Sequence, residues 1–102
     1  MTDRLHHVAI QVTDIPTSVD FYKMTFNAKV EYQDDTWALL NVRSRTRLAL
    51  VLKSKHPPHI AFVSKIASLY KNSLVTHRDG TRSKYINDPS GNVIEILDPT
   101  SL

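Results

Sequence analysis

The tetrapeptide His7-Val8-Ala9-Ile10 returns fifty-two residues later as His59-Ile60-Ala61-Phe62, an offset close to half of the 102-residue chain. No other feature restricts the fold as much. A chain of this size supports one hydrophobic core, so two copies of a pattern inside it must share a domain rather than form two.

The order of elements repeats with the pattern. In the first half, residues 5–12 read as a strand in which Val8, Ile10 and Val12 alternate with His7, Ala9 and Gln11. Asp14 is placed to cap a helix and Pro16 suits its first turn. Ile15, Val19, Tyr22 and Phe26 recur at helical spacing as its buried stripe, and Asn27 suits the left-handed position that ends it. Extended segments follow over residues 29–32, 37–42 and 47–52, divided by polar turns. Beyond the breaker Lys55-His56-Pro57-Pro58, the second half repeats the plan. It has a strand over 59–63, a short helix marked by Ile66, Leu69 and Tyr70, and strands over 74–77, 83–87 and 93–97. The expected fold is an α+β domain of two βαβββ modules, residues 1–54 and 55–102, each hiding one sheet face under its helix. The other faces of the curved mixed sheets then enclose a cup, completed within the chain or by a partner.

Composition narrows the chemistry. There is no cysteine, so disulfides and thiolate metal sites are excluded and any metal must be held by nitrogen and oxygen. The start of the chain lacks the pattern of a signal peptide and no segment is long and apolar enough to span a bilayer, which predicts a cytoplasmic protein with no membrane partner. A net charge of +3 is mild, and acidic residues interleave the basic ones except at Arg43, Arg45 and Arg47. That row reads first as a solvated turn and strand end. Attraction of an anionic substrate is the alternative, and no nucleic-acid partner is expected.

Strand parity picks out the reactive residues. If Val8 and Ile10 pack under the first helix, then His7, Ala9 and Gln11 point the other way; likewise His59, Ala61 and Val63 oppose Ile60 and Phe62. In the run Val93-Ile94-Glu95-Ile96-Leu97, Ile94 and Ile96 go beneath the second helix and Glu95 faces the cup. A lone carboxylate among apolar neighbours calls for a cation, and two imidazoles at matching positions of a repeat suit a metal ion better than a salt bridge. His7, His59 and Glu95 form a two-histidine, one-carboxylate ligand set that leaves coordination positions open for substrate, as a catalytic site requires. His6 is out of phase and His56 lies in a loop, so neither is favoured. Tyr85 shares the parity of the cup and is the candidate donor of a hydrogen bond or proton. His77 is an acid or base candidate beside the more ordinary reading of a loop histidine. Gln11, Trp37 and Asn41 are candidate substrate contacts, with Val51 and Val63 as apolar wall.

These residues carry a resemblance. Leu5-His-His-Val-Ala-Ile-Gln-Val-Thr-Asp14 with Ser18-Val-Asp-Phe-Tyr22, His59-Ile-Ala-Phe-Val63, and Tyr85-Ile-Asn-Asp-Pro-Ser-Gly-Asn-Val-Ile-Glu95 are similar to the vicinal oxygen chelate superfamily of glyoxalases, extradiol dioxygenases and fosfomycin- and bleomycin-resistance proteins. The resemblance implies a glyoxalase-like fold and one divalent ion (Fe, Mn, Ni, Co or Zn) on His7, His59 and Glu95. It also implies a small substrate chelated through adjacent oxygens, and a homodimer. Ala49 occupies the position where glyoxalases of this type add a fourth ligand, which points toward the dioxygenase or thiol-transferase pattern. The alternative is a protein of the same fold that sequesters a small molecule without turning it over.

Overall fold

The computed structural model describes residues 3–44 and 46–102, so Arg45 of the arginine row lies outside it. The elements run β1 (Arg4–Val12), α1 (Ile15–Phe26), β2 (Lys29–Gln33), β3 (Trp37–Arg43), β4 (Thr46–Leu52) and β5 (His59–Val63), then a 3-10 helix (Lys65–Ser73), β6 (Val75–Thr76), β7 (Arg82–Asn87) and β8 (Val93–Leu97). A 3-10 turn, Pro99–Ser101, follows. The order of one strand, one helix and three strands is thus present twice, with a 3-10 helix taking the place of an α-helix in the second copy. The chain divides into two compact units, His7–Pro58 and His59–Leu102 with the residues up to His6.

In the first unit the strands lie in the order β2-β3-β4-β1. β1 runs parallel to β4, and β2, β3 and β4 pair antiparallel. α1 begins where Asp14 accepts a hydrogen bond from the Thr17 amide at 2.8 Å, and it ends at Asn27, whose φ of 57° is left-handed. Ile15 and Val19 of α1 pack with Ala28, Ala38, Leu40 and Leu50, flanked by Ile10, Val12, Tyr22, Val42, Leu48 and Leu52. Each fully buried leucine there contributes about 1.5–3 kcal/mol of transfer free energy. Ala9, Leu39, Ala49 and Val51 form a separate buried cluster, with Tyr32 and Trp37 against it. They alternate along their strands with the residues packed on α1, and so lie on the opposite face.

Two expectations for this unit are corrected. Phe26 is 55% exposed, because the last turn of α1 stacks it on Tyr22, at 6.0 Å between ring centroids, instead of lowering it onto the sheet. Val8 is also exposed, since the cluster under α1 draws Ile10 and Val12 from β1 and does not include it.

In the second unit the strands lie in the order β5-β8-β7-β6. β5 is parallel to β8, and β7 is antiparallel to both β8 and β6. Parity holds on one face: His59, Ala61, Val63, Ser83, Glu95 and Leu97 are all buried. On the other face it holds only partly. Ile96 is buried, but Ile60 and Phe62 are exposed where a covering helix was expected. The reason lies in the 3-10 segment. Ser64 caps it through the Ile66 amide at 3.2 Å, and the hydroxyls of Ser68 and Ser73 donate to backbone carbonyls three residues back. The tighter winding, with non-helical backbone at Tyr70, buries Ala67 and leaves Ile66 and Leu69 exposed. β6 is shorter than the expected 74–77 because the His77 amide already donates to Thr81 across a tight turn, in which Gly80 takes a φ of +90°.

Candidate metal centre

The β7–β8 ladder of the second unit sets Tyr85 beside Glu95 and Ser83 beside Leu97. The β5–β8 ladder sets Ala61 beside Glu95. Because Ala61 has almost no side chain, the Glu95 carboxylate has room on the shared face and meets His59, the residue two positions before Ala61. His59 Nε2 lies 3.1 Å from Glu95 Oε1, and both side chains are about 95% buried. The other carboxylate oxygen accepts a hydrogen bond from the Ser83 hydroxyl at 2.7 Å. His77 Nε2 is 2.6 Å from that hydroxyl and 3.3 Å from Glu95 Oε2.

The single proton of Ser83 fixes the direction of this chain. With that proton given to Glu95, Ser83 Oγ can only accept from His77, so His77 Nε2 carries hydrogen and acts as a donor. Tyr85 completes the group. Burial first, then the charge of Glu95 and the hydrogen bond to it, push the Tyr85 phenol well above its ordinary value, so it remains a protonated donor through the neutral range. Its ring meets His59 edge to face at 5.3 Å between centroids and His77 at 6.3 Å.

Four of the candidate residues, His59, Glu95, Tyr85 and His77, therefore converge in one unit. Ser83 joins them without having been singled out by sequence, although its parity with Tyr85 was a legible signal. The remaining candidates belong to the first unit. His7 is buried at 8% exposure in β1, and the preceding His6, which groups with the second unit, is buried to the same extent. Trp37 stacks on Tyr32 at 4.5 Å between centroids and packs on the Ala9, Leu39, Ala49 and Val51 cluster. Asn41 donates from Nδ2 to Glu31 at 2.8 Å and to the Ser44 carbonyl at 2.6 Å. Gln11 is exposed and donates to the His56 carbonyl at 2.9 Å, which ties it to the loop before β5. Asn41 and Gln11 are thus engaged by their own chain.

The donor chemistry fits a metal. Two donors bound at right angles about 2.0–2.2 Å from one ion lie roughly 3 Å apart, and His59 Nε2 and Glu95 Oε1 have that separation. Ser83 and His77 hold the second carboxylate oxygen, as outer partners of metal ligands do.

Residues 4–73 match the family model for the glyoxalase/bleomycin resistance protein/dioxygenase superfamily. The chain belongs to that superfamily. No curated protein sequence matches it at a significant level. Similar solved structures include a hypothetical protein from Bacillus halodurans, 18% identical over 96% of this chain and 95% of that one with a TM-score of 0.72. Methylmalonyl-CoA epimerase from Mycobacterium tuberculosis is 22% identical over 93% and 87%, with a TM-score of 0.67. The Streptomyces coelicolor epimerase in complex with 2-nitronate-propionyl-CoA is 17% identical over 97% and 96%, with a TM-score of 0.73. The fold of this superfamily member is therefore glyoxalase-like. The register also assigns the place of Ala49: Ala9 pairs with Ala49 as Ala61 pairs with Glu95, so Ala49 stands in the first half where the carboxylate stands in the second. No helix among the described residues is long and apolar enough to cross a membrane.

Proposed function

We propose that the protein is an enzyme that uses one divalent ion to act on a small substrate presenting two adjacent oxygens. The ion is held by His59, Glu95 and His7, with His7 coming from the same chain or from a second copy in a homodimer. All three are buried and are of the types that hold such ions. The observation that carries the reading is the buried His59–Glu95 donor pair at 3.1 Å, set in a strand whose other residues are apolar. When bound, the ion would supply Lewis-acid stabilisation of charge developing on substrate oxygen. Iron, manganese, nickel, cobalt and zinc all accept imidazole and carboxylate.

The chain's own residues have distinct tasks. Tyr85 keeps its proton and donates toward the Glu95 side of the site, where substrate oxygen would compete for it. Ser83 and His77 fix one oxygen of Glu95 and leave the other turned to His59. Trp37 and Val51, on the face of the first unit that α1 does not cover, supply apolar wall, as does Val63 in the second.

Elemental analysis of protein supplied with each of the five metals tests the reading. About one equivalent is expected in the wild type, with loss in Glu95→Gln and His59→Ala and a large reduction in His7→Ala. Less than about a tenth of an equivalent in the wild type would instead favour a protein that sequesters its ligand without a metal.

A further inference from the structure

The side chain of Arg47 is drawn into the structure, whereas that of Arg43 in the same row is exposed. Arg47 lies on β4 two residues before Ala49 and four before Val51, so it shares their face, the one α1 does not cover. The parallel ladder begins with Val8 beside Leu48 and Ala9 beside Ala49; extending that register one residue back along both strands brings His7 opposite Arg47, with the parity of Ala9 and Ala49. Glu31 orients the guanidinium, accepting from Arg47 Nε at 3.2 and 3.0 Å on its two oxygens, while Asn41 donates to Glu31 at 2.8 Å. Nη1 is left over. It is buried, and none of the described residues accepts a hydrogen bond from it.

A buried cationic donor without an acceptor is costly, and the side chains alternating with it along β4, Ala49 and Val51, have none to offer. We infer that Nη1 of Arg47 is the recognition point for a carboxylate on the substrate, which makes the substrate a carboxylic acid that also carries two adjacent chelating oxygens. The inference rests on the metal reading above, because it is His7 that brings Arg47 beside the chelated end. A carboxylate suits the position better than a phosphate. The single charge of the guanidinium is already paired with Glu31, so a bound carboxylate leaves one net negative charge there and a phosphate dianion would leave two, with correspondingly stronger repulsion from Glu31.

Calorimetric titration of the metal-loaded, full-length protein with 3,4-dihydroxybenzoate and with catechol isolates the carboxylate, since both probes present the same oxygen pair. The acid is expected to bind roughly tenfold or more tighter than catechol. Arg47→Gln should bring the two affinities together while leaving that for catechol in place, Arg47→Lys should keep part of the preference, and Glu31→Gln should widen it. Equal affinities in the wild type, or a preference that survives in both Arg47 variants, would overturn the inference and leave the metal reading standing. Catechol affinity that is the same with and without metal would overturn the metal reading and this inference together.

Discussion

Position for position, the two halves place opposite chemistries on the same scaffold. In the first, Trp37 pairs with Val51, Leu39 with Ala49, and Asn41 with Arg47. In the second the corresponding pairs are Ser83 with Leu97, Tyr85 with Glu95, and Asn87 with Val93. Where one half carries Trp37, Leu39 and Ala49, the other carries Ser83, Tyr85 and Glu95. The first half spends the face away from its helix on a buried apolar cluster, ending in the Arg47–Glu31 pair, and roofs its other face with a full α-helix. The second half spends that face on a hydrogen-bonded carboxylate and has only a 3-10 segment as a roof. A repeat has thus kept its backbone pairing while dividing the labour of stability and chemistry between its copies.

The sharpest attempt to break this division is Ala49→Glu, which writes the second half's carboxylate into the first. Ala49 is almost fully buried among Ala9, Leu39 and Val51, none of which can accept or donate through its side chain. An uncompensated buried charge costs about 3–5 kcal/mol, to be read from urea unfolding in the absence of metal. Unchanged stability would mean that the first half was as ready for a ligand as the second. The next largest effect concerns the roofs. Leu40→Ala, in the cluster under α1, should cost about 2–5 kcal/mol, whereas Ile60→Ala on the exposed face of β5 should cost less than about 1 kcal/mol. Similar losses at both positions would show that the two roofs shield their sheets equally.

A smaller effect probes the second half alone. Ser83→Ala removes the donor to Glu95 Oε2 and the acceptor for His77. Loss of such an outer partner lowers metal affinity by roughly 10- to 100-fold, measurable by competition with a chelator. An unaltered affinity would reduce Ser83 to packing.

How far these features could be read in advance follows from which forces set them. Alternation along a strand depends on backbone geometry alone, so the facing of His59, Ala61, Glu95 and Tyr85 was legible, as were the Asp14 and Asn27 caps, whose roles follow from local hydrogen bonding and left-handed backbone. Burial depends on what covers a face. Nothing local distinguishes Val8 from Ile10, or announces that Ile66 and Leu69 would stay exposed while Ala67 is buried, because those outcomes are decided by how far a distant helix reaches. His77 shows a third limit. Its neighbours Arg78 and Asp79 marked a loop, which it is, yet the turn closed by Thr81 swings its ring onto Ser83, a contact that pattern counting along one strand does not contain.

The mildest test compares two aspartates that organise the hairpin turns of the two halves. Asp34, before β3, accepts from the Tyr32 hydroxyl, from the Thr36 amide and hydroxyl, and from the Trp37 amide. Burial by itself would raise its carboxyl, but these donors together outweigh it and hold the group well below the ordinary 3.8. Asp88, before β8, is lowered chiefly by the Asn92 side chain and amide, with the Ser90 and Gly91 amides adding less. A carboxylate with a depressed folded-state pKa stabilises the fold above its unfolded value, and that contribution is lost as pH falls below it. Asp34→Asn should therefore lower stability at neutral pH, with the gap to the wild type closing as pH drops below about 3.8. Asp88→Asn should produce the same sign and a smaller gap, followed by thermal melts from pH 7 to pH 3. A larger gap for Asp88 would reverse the ranking of the two turns and place the more tightly held anion in the half that carries the chemistry.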